Sequence, residues 1–251
     1  MIVIKTPEQL SLMKRAGEIT GGALLAARDI IRPGISTLDI DKVVRSYIES
    51  HGAVPSFLGY GGFPGSACVS VNQEVIHGIP SARKILKEGD LVKIDVGACY
   101  RGYHGDSART FAVGQVTEAA RRLMETTERA FREGAARAVH GARVGDIGHA
   151  VQACAEAQGY GVVRSFVGHG VGSHLHEEPD VPNFGREGHG PRLFSGMTIA
   201  IEPMINEGTA DVRVLADGWT VVTADGKLSA HYEHTVAITA SGPIFLTDLG
   251  E

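Results

Sequence analysis

The chain is short of most features that declare a function by composition alone. Its three cysteines, Cys68, Cys99 and Cys154, lie far apart with no CxxC spacing. That excludes a disulfide framework and a zinc finger and points to a reducing compartment, the cytoplasm. No run approaches the roughly 18 apolar residues that a membrane span needs. The start, Met1-Ile-Val-Ile-Lys-Thr6, has no basic segment leading into a long apolar core, so no secretory signal is expected. Charge of one sign is also scarce: 24 Lys and Arg against 29 Asp and Glu leave a net −5, which gives no general attraction to nucleic acid or membranes. What remains is 251 residues, 43% hydrophobic and 21% charged, an ordinary globular composition long enough to bury a sizeable core.

The chain repeats itself. Thr6-Pro7-Glu8-Gln9 reads as an N-cap, a first-turn proline and a capping-box glutamine. Apolar positions Leu10, Met13, Thr20, Leu24, Ala27 and Ile31 then follow at helical spacing until Arg32-Pro33-Gly34. A second helix is expected over about 37–50 with Leu38, Val43, Val44 and Tyr47 inward, a third from Thr117, and a fourth from near Asp146 to Gln158-Gly159. A shift of 107 positions carries Gly34 onto Gly141, Asp39 onto Asp146, Val44 onto Val151 and Gly52 onto Gly159. The same shift carries Leu86–Asp95 onto Leu193–Glu202. This implies one domain over 1–251 built from two related halves, about 1–112 and 113–251, each a helix pair with β-strands.

Carboxylates interrupt strands that should be apolar. Asp95 breaks Leu91-Val-Lys-Ile-Asp-Val96, and a buried unpaired carboxylate costs several kcal/mol unless paired or metal-bound. The strand Tyr103–Val113 returns after a turn near Tyr100-Arg101-Gly102, and a two-residue closure is expected to set Asp95 opposite Asp106, with a three-residue loop as the alternative. Facing carboxylates repel without a cation between them. Glu202, which the repeat aligns with Asp95, ends the apolar strand Met197–Ile201, and Glu233 is expected inside a strand 229–238 after an Asp225-Gly226 hairpin turn. Four carboxylates related through the repeat imply a shared site for divalent ions such as Mn, Fe or Co. Two ions roughly 3.5–4 Å apart are the arrangement hydrolases use to activate water.

Such a site needs an imidazole. The segment 167–180 holds three of the eleven histidines within eight residues: His169, His174 and His176. His169, flanked by Gly168 and Gly170, is the expected ligand, with the glycines letting the backbone pass close to the metal. His51, His140, His149 and His189 are expected to be surface or core residues, and His174 a neighbour without a role.

At these residues the chain resembles the methionine aminopeptidases of the short, type I bacterial form, over essentially its whole length. The resemblance rests on Val71–Pro80 with His77, Ile94–Gly97, His104–Ser107, Gly168–Gly172, His176–Pro179, Ile201–Met204 and Tyr232–Thr235. It implies the pita-bread fold, an α+β pseudo-two-fold arrangement of two helix pairs on a curved antiparallel sheet. It further implies a dinuclear centre of Asp95, Asp106, His169, Glu202 and Glu233, bridged by Asp106 and Glu233. The ions implied are Co, Mn or Fe(II), with Zn and Ni admitted. His77 and His176 would be catalytic histidines that contact substrate, and Glu202 would also shuttle a proton. The methionine pocket would take in Tyr60, Phe63, Cys68 and Trp219, with Phe57 and Leu175 as less familiar occupants. Gly61 stands where the family often has a histidine. The implied activity is removal of the initiator methionine from nascent polypeptides with a small second residue, by a cytoplasmic monomer that takes no specific nucleic acid. Action at the ribosome is left open. The alternatives are a proline-specific dipeptidase or aminopeptidase of the same fold and a non-catalytic binding relative. The first usually carries a large extra N-terminal domain, and the second would have lost the ligands, all of which are present here.

Overall fold

The computed structural model of the protein describes residues 1–248; the last three residues of the expected domain, 249–251, lie outside the described residues. Four α-helices form: α1 Pro7–Asp29, α2 Thr37–Ser50, α3 Glu118–Ala135 and α4 Val144–Glu156. Thr6 caps α1 as the sequence implies: its hydroxyl accepts from the Gln9 N–H while the Gln9 side chain accepts from the Thr6 N–H. The helix stops at Asp29, short of the Pro33-Gly34 signal. In α2 the buried stripe is Ile40, Val44 and Ile48, with Thr37 and Asp41 beside it. The expected inward residues Leu38, Val43 and Tyr47 are only half-buried. The spacing i, i+4, i+8 sets the stripe, and Tyr47 instead lies over Gly22 of α1, where a Cβ would come within 2.1 Å of the tyrosine oxygen. Among the described residues no helix is long and apolar enough to cross a membrane.

Among the described residues all strand pairing is antiparallel, in four sheets. The hairpin Leu91–Tyr100 with Tyr103–Ala112 belongs to a four-stranded sheet and packs under α1 and α2 through Val92, Ile94, Val96 and Ala98. A five-stranded sheet contains Gly168–Gly170, Glu177–Val181, Thr198–Ile201, His234–Thr239 and Gly242–Phe245, and its core includes Phe131 of α3 and Ile147 of α4.

Three expectations about strands need correction. The turn on Arg101-Gly102 pairs Tyr100 with Tyr103, and counting back from that pair sets Asp95 opposite Ala108 and Asp106 opposite Gly97. The two carboxylates are therefore diagonal neighbours rather than facing ones, still on one face of the sheet because side chains alternate with period two. The strand expected over 229–238 is also broken, into Ser229–His231 and His234–Thr239, with Glu233 between them. The two pieces pair with different sheets, so the chain must turn out of one ladder and into the next at Tyr232-Glu233. The Asp225-Gly226 turn exists, but the strands on either side of it pair elsewhere rather than with each other.

The internal repeat is visible in hydrogen bonds. Gly34 N–H donates to Leu86 O, and Gly141 N–H to Leu193 O; Leu86 N–H donates to Ile35 O, and Leu193 N–H to Ala142 O. An isolated bridge joins Ser36 with Ile85, and another joins Arg143 with Arg192. Each pair is its counterpart shifted by 107. Across the centre, the Glu233 N–H donates to Ala108 O, Asp106 N–H donates to the Thr235 hydroxyl, and that hydroxyl donates to Asp106 O. These bonds stitch the first hairpin to the second-half strands.

Candidate active site

One pocket gathers all the sequence-derived site residues. Its walls include Asp95, Asp106, His169, Glu202 and Glu233 at one end and Phe57, Phe63, Cys68, Leu175 and Trp219 at the other, with Tyr60, His77 and His176 between. Phe57, Phe63, Cys68 and Leu175 are all buried and form a hydrophobic cluster of their own, with Ile79 and Trp219 against it. The sequence reading missed the wall residues Ile76, Phe166 and Val167. Phe166 could have been suspected, since it lies three residues before the glycine-flanked His169.

His169 sits mid-strand in Gly168–Gly170. A Cβ at Gly168 would meet Ala200 O at 2.3 Å, and one at Gly170 would meet Glu178 O at 2.3 Å. The glycines therefore admit neighbouring strands on both sides, a packing cause beside the expected approach to a metal. Nδ1 of His169 lies 2.8 Å from the carbonyl of Gly170. A carbonyl only accepts, so Nδ1 carries the proton and Nε2 is left with its lone pair. That nitrogen faces Oε1 of Glu202 at 3.5 Å and Oδ2 of Asp106 at 3.7 Å. Ligand atoms of Asp106, His169 and Glu233 all lie within 4.8 Å of one another.

The electrostatics of this end call for positive charge. Burial pushes the carboxyls of Asp95, Glu202 and Glu233 well above the usual range, and the other carboxylates add to it. Burial also raises Asp106 to about 7. The same desolvation lowers His169 and His77 to about 4, so both are neutral near pH 7. Oδ1 of Asp95 and Oδ1 of Asp106 are buried without a hydrogen-bond partner. Orphaned buried oxygens, four crowded carboxyls and a neutral imidazole with an inward lone pair fit divalent metal ions of mixed oxygen and nitrogen preference.

The two other histidines are held differently. Nδ1 of His176 is 2.8 Å from the Tyr60 hydroxyl, and its ring lies 4.1 Å from that of His169. His77 has φ +58, a conformation that costs a residue with a side chain, and its ring meets the edges of Phe166 and Trp219. His174 is 82% exposed, with no place in the pocket. Gly61, with φ +56, brings its backbone beside the Trp219 ring.

A further histidine went unremarked in the sequence. His231 ends the strand Ser229–His231, is 1% exposed, and has no hydrogen-bond partner among the described residues on either ring nitrogen. Its Nε2 is 3.9 Å from Oε2 of Glu202, and burial lowers it to about 3.

Comparison with known proteins gives the same direction. Residues 11–240 match the family described as metallopeptidase family M24. A methionine aminopeptidase of Clostridium acetobutylicum is 50% identical over 247 residues, covering 98% of this chain and 99% of its own. The crystal structure of a methionine aminopeptidase from Thermotoga maritima superposes with a TM-score of 0.97 at 45% identity, covering 99% of this chain and all of that one. A prolidase from Pyrococcus furiosus superposes at 0.80 with 26% identity, and there this chain spans 66% of the other.

Proposed function

The chain belongs to metallopeptidase family M24 and, within it, to the methionine aminopeptidases of short bacterial type, and on that premise we propose that it releases the initiator methionine from nascent polypeptides with a small second residue. The fold is the α+β pita-bread fold of that family. The observation that carries the reading is one pocket with buried carboxylates and His169 at one end and a closed apolar cluster at the other. An unbranched, polarizable methionine side chain suits the aromatic and sulfur lining of Phe57, Phe63, Cys68 and Trp219.

In this reading Asp95, Asp106, His169, Glu202 and Glu233 would hold two divalent ions, Co, Mn or Fe(II), with Asp106 and Glu233 serving both. Bound there, the ions supply Lewis acidity toward water and toward the scissile carbonyl. Glu202 takes the proton from the attacking water and delivers it to the leaving amine as the C–N bond breaks. With the Tyr60 hydroxyl donating to Nδ1, His176 presents Nε2–H to the substrate carbonyl oxygen, and His77 offers a second neutral donor. The acidic end receives the free α-amine, so internal peptide bonds have no place. The chain acts as one domain in two related halves, as a monomer in the cytoplasm.

The test is methionine release from Met-Ala, Met-Arg and Ala-Pro peptides by metal-reconstituted protein. Turnover of Met-Ala far above the other two is expected. Preference for Ala-Pro would transfer the chain to the prolidase side of the family, and equal turnover of Met-Ala and Met-Arg would remove the small-residue rule.

A further inference from the structure

His231 combines two properties that seldom coincide: near-complete burial and no hydrogen-bond partner on either ring nitrogen. Buried polar groups are nearly always satisfied, so each exception asks for a reason. A leucine at the end of this strand would remove the anomaly. The backbone of His231 is also fixed from both sides, since its N–H donates to the Thr110 hydroxyl at 2.8 Å and its carbonyl accepts from that hydroxyl at 2.9 Å. Residue 231 pairs in register with Met204, two positions after Glu202. The ring is thus delivered rigidly beside the Glu202 carboxylate.

The two oxygens of Glu202 face different neighbours. Oε1 looks toward Nε2 of His169 at 3.5 Å, on the side of the carboxylate cluster. Oε2 looks toward Nε2 of His231 at 3.9 Å. An imidazole has one such proton to give when neutral, and a contact this long shortens when the acceptor is an ionised carboxylate. We propose that His231 is a positioning residue: its Nε2–H donates to Oε2 of Glu202 and thereby keeps Oε1 turned toward His169 and the other carboxylates. The role rests on the aminopeptidase reading, in which Glu202 both holds metal and carries a proton. Free rotation of the carboxylate would misdirect that proton without emptying the site.

Three variants and one spectrum test it. His231→Leu should lower kcat on Met-Ala peptides by a factor on the order of 10–100, the usual cost of removing a partner that orients a metal-site residue. KM and metal content should stay unchanged. His231→Gln, which can set an amide N–H near the place of Nε2, should recover most of the loss. In the metal-free protein, at alkaline pH where the Glu202 carboxyl is ionised, proton–nitrogen correlation spectra of the histidine rings should show His231 protonated at Nε2, with that proton signal moving in Glu202→Gln. Wild-type kcat in His231→Leu, loss of metal in step with activity, a glutamine variant no better than leucine, or an Nδ1–H tautomer would each overturn the proposal. Unsubstituted protein that releases no methionine defeats the activity reading alone, and the metal-free spectrum then still decides the contact.

Discussion

Lys5 and Glu177, 172 residues apart, form a 2.6 Å ion pair whose side chains are 3% and 7% exposed. The Glu177 carboxylate also accepts from the backbone N–H of His174 and from the Ser173 hydroxyl. It thereby closes the loop that leads into His176 and anchors that loop to the segment before α1.

Lys5→Met should therefore destabilise the protein by about 3–5 kcal/mol, because it leaves a buried carboxylate without its counter-charge. Burial raises Glu177, but the hydrogen bond and charge of Lys5 and the loop N–H groups more than offset it, so its pKa is lowered. A depressed carboxylate pKa contributes stability fully above the unfolded value of about 4.3, and the contribution fades as pH falls through the lower folded value. Denaturant melts of wild type and Lys5→Met should differ most above pH 5 and converge toward pH 3. A gap independent of pH would dissociate the pair from stability.

Chelation should abolish activity, and Mn, Fe(II) or Co should restore it better than Mg, which prefers all-oxygen sites with retained waters. Apparent metal affinity should rise as pH increases through about 7, where Asp106 gives up its proton, because binding must displace protons from the raised carboxyls. Full activity after exhaustive dialysis against chelator contradicts this centre.

Replacing Asp106 or Glu233 by Ala should cost more activity than replacing Asp95, measured on folded protein at saturating metal. Asp106 and Glu233 belong to the tight trio with His169, and Asp95 is not a member of it. Asp95→Ala as the worst of the three would reverse the bridging assignment.

The histidines should separate by role. His169→Ala should lose metal and turnover together. His176→Ala and His77→Ala should keep metal while kcat falls on the order of 10²–10³, the cost of one donor to developing charge. His174→Ala should be almost silent, since its ring is in solvent. Elemental analysis beside steady-state kinetics decides, and metal loss in His176→Ala with retention in His169→Ala would exchange the two assignments.

Local chemistry was the legible part of the sequence. The capping box at Thr6, the boundaries of α2, and the matching of Glu202 to Asp95 follow from rules that act over a few residues or from the chain's similarity to itself. The facing arrangement of Asp95 and Asp106 failed because register depends on counting back from the turn, where one slip reassigns every partner. The break at Glu233 was hidden because apolar alternation continues across it while the hydrogen-bond ladder changes sheets. His231 had no signal of its own beside Glu233, and nothing in the sequence links Lys5 to Glu177, because a contact between distant residues exists only once the fold does.

Asp95 and Asp106 lie on the hairpin before the 113–117 connection, and His169, Glu202 and Glu233 all follow it, with the Glu233–Ala108 bond among those closing the seam. A peptidase assembled this way is inert while it is being made: a partly synthesised chain holds two acidic ligands and His77 but no imidazole ligand, and cannot trim itself or its neighbours. A chain severed within 113–117 should be equally silent in each fragment and should regain hydrolysis only when the two rejoin, so that turnover itself reports the docking of one half on the other.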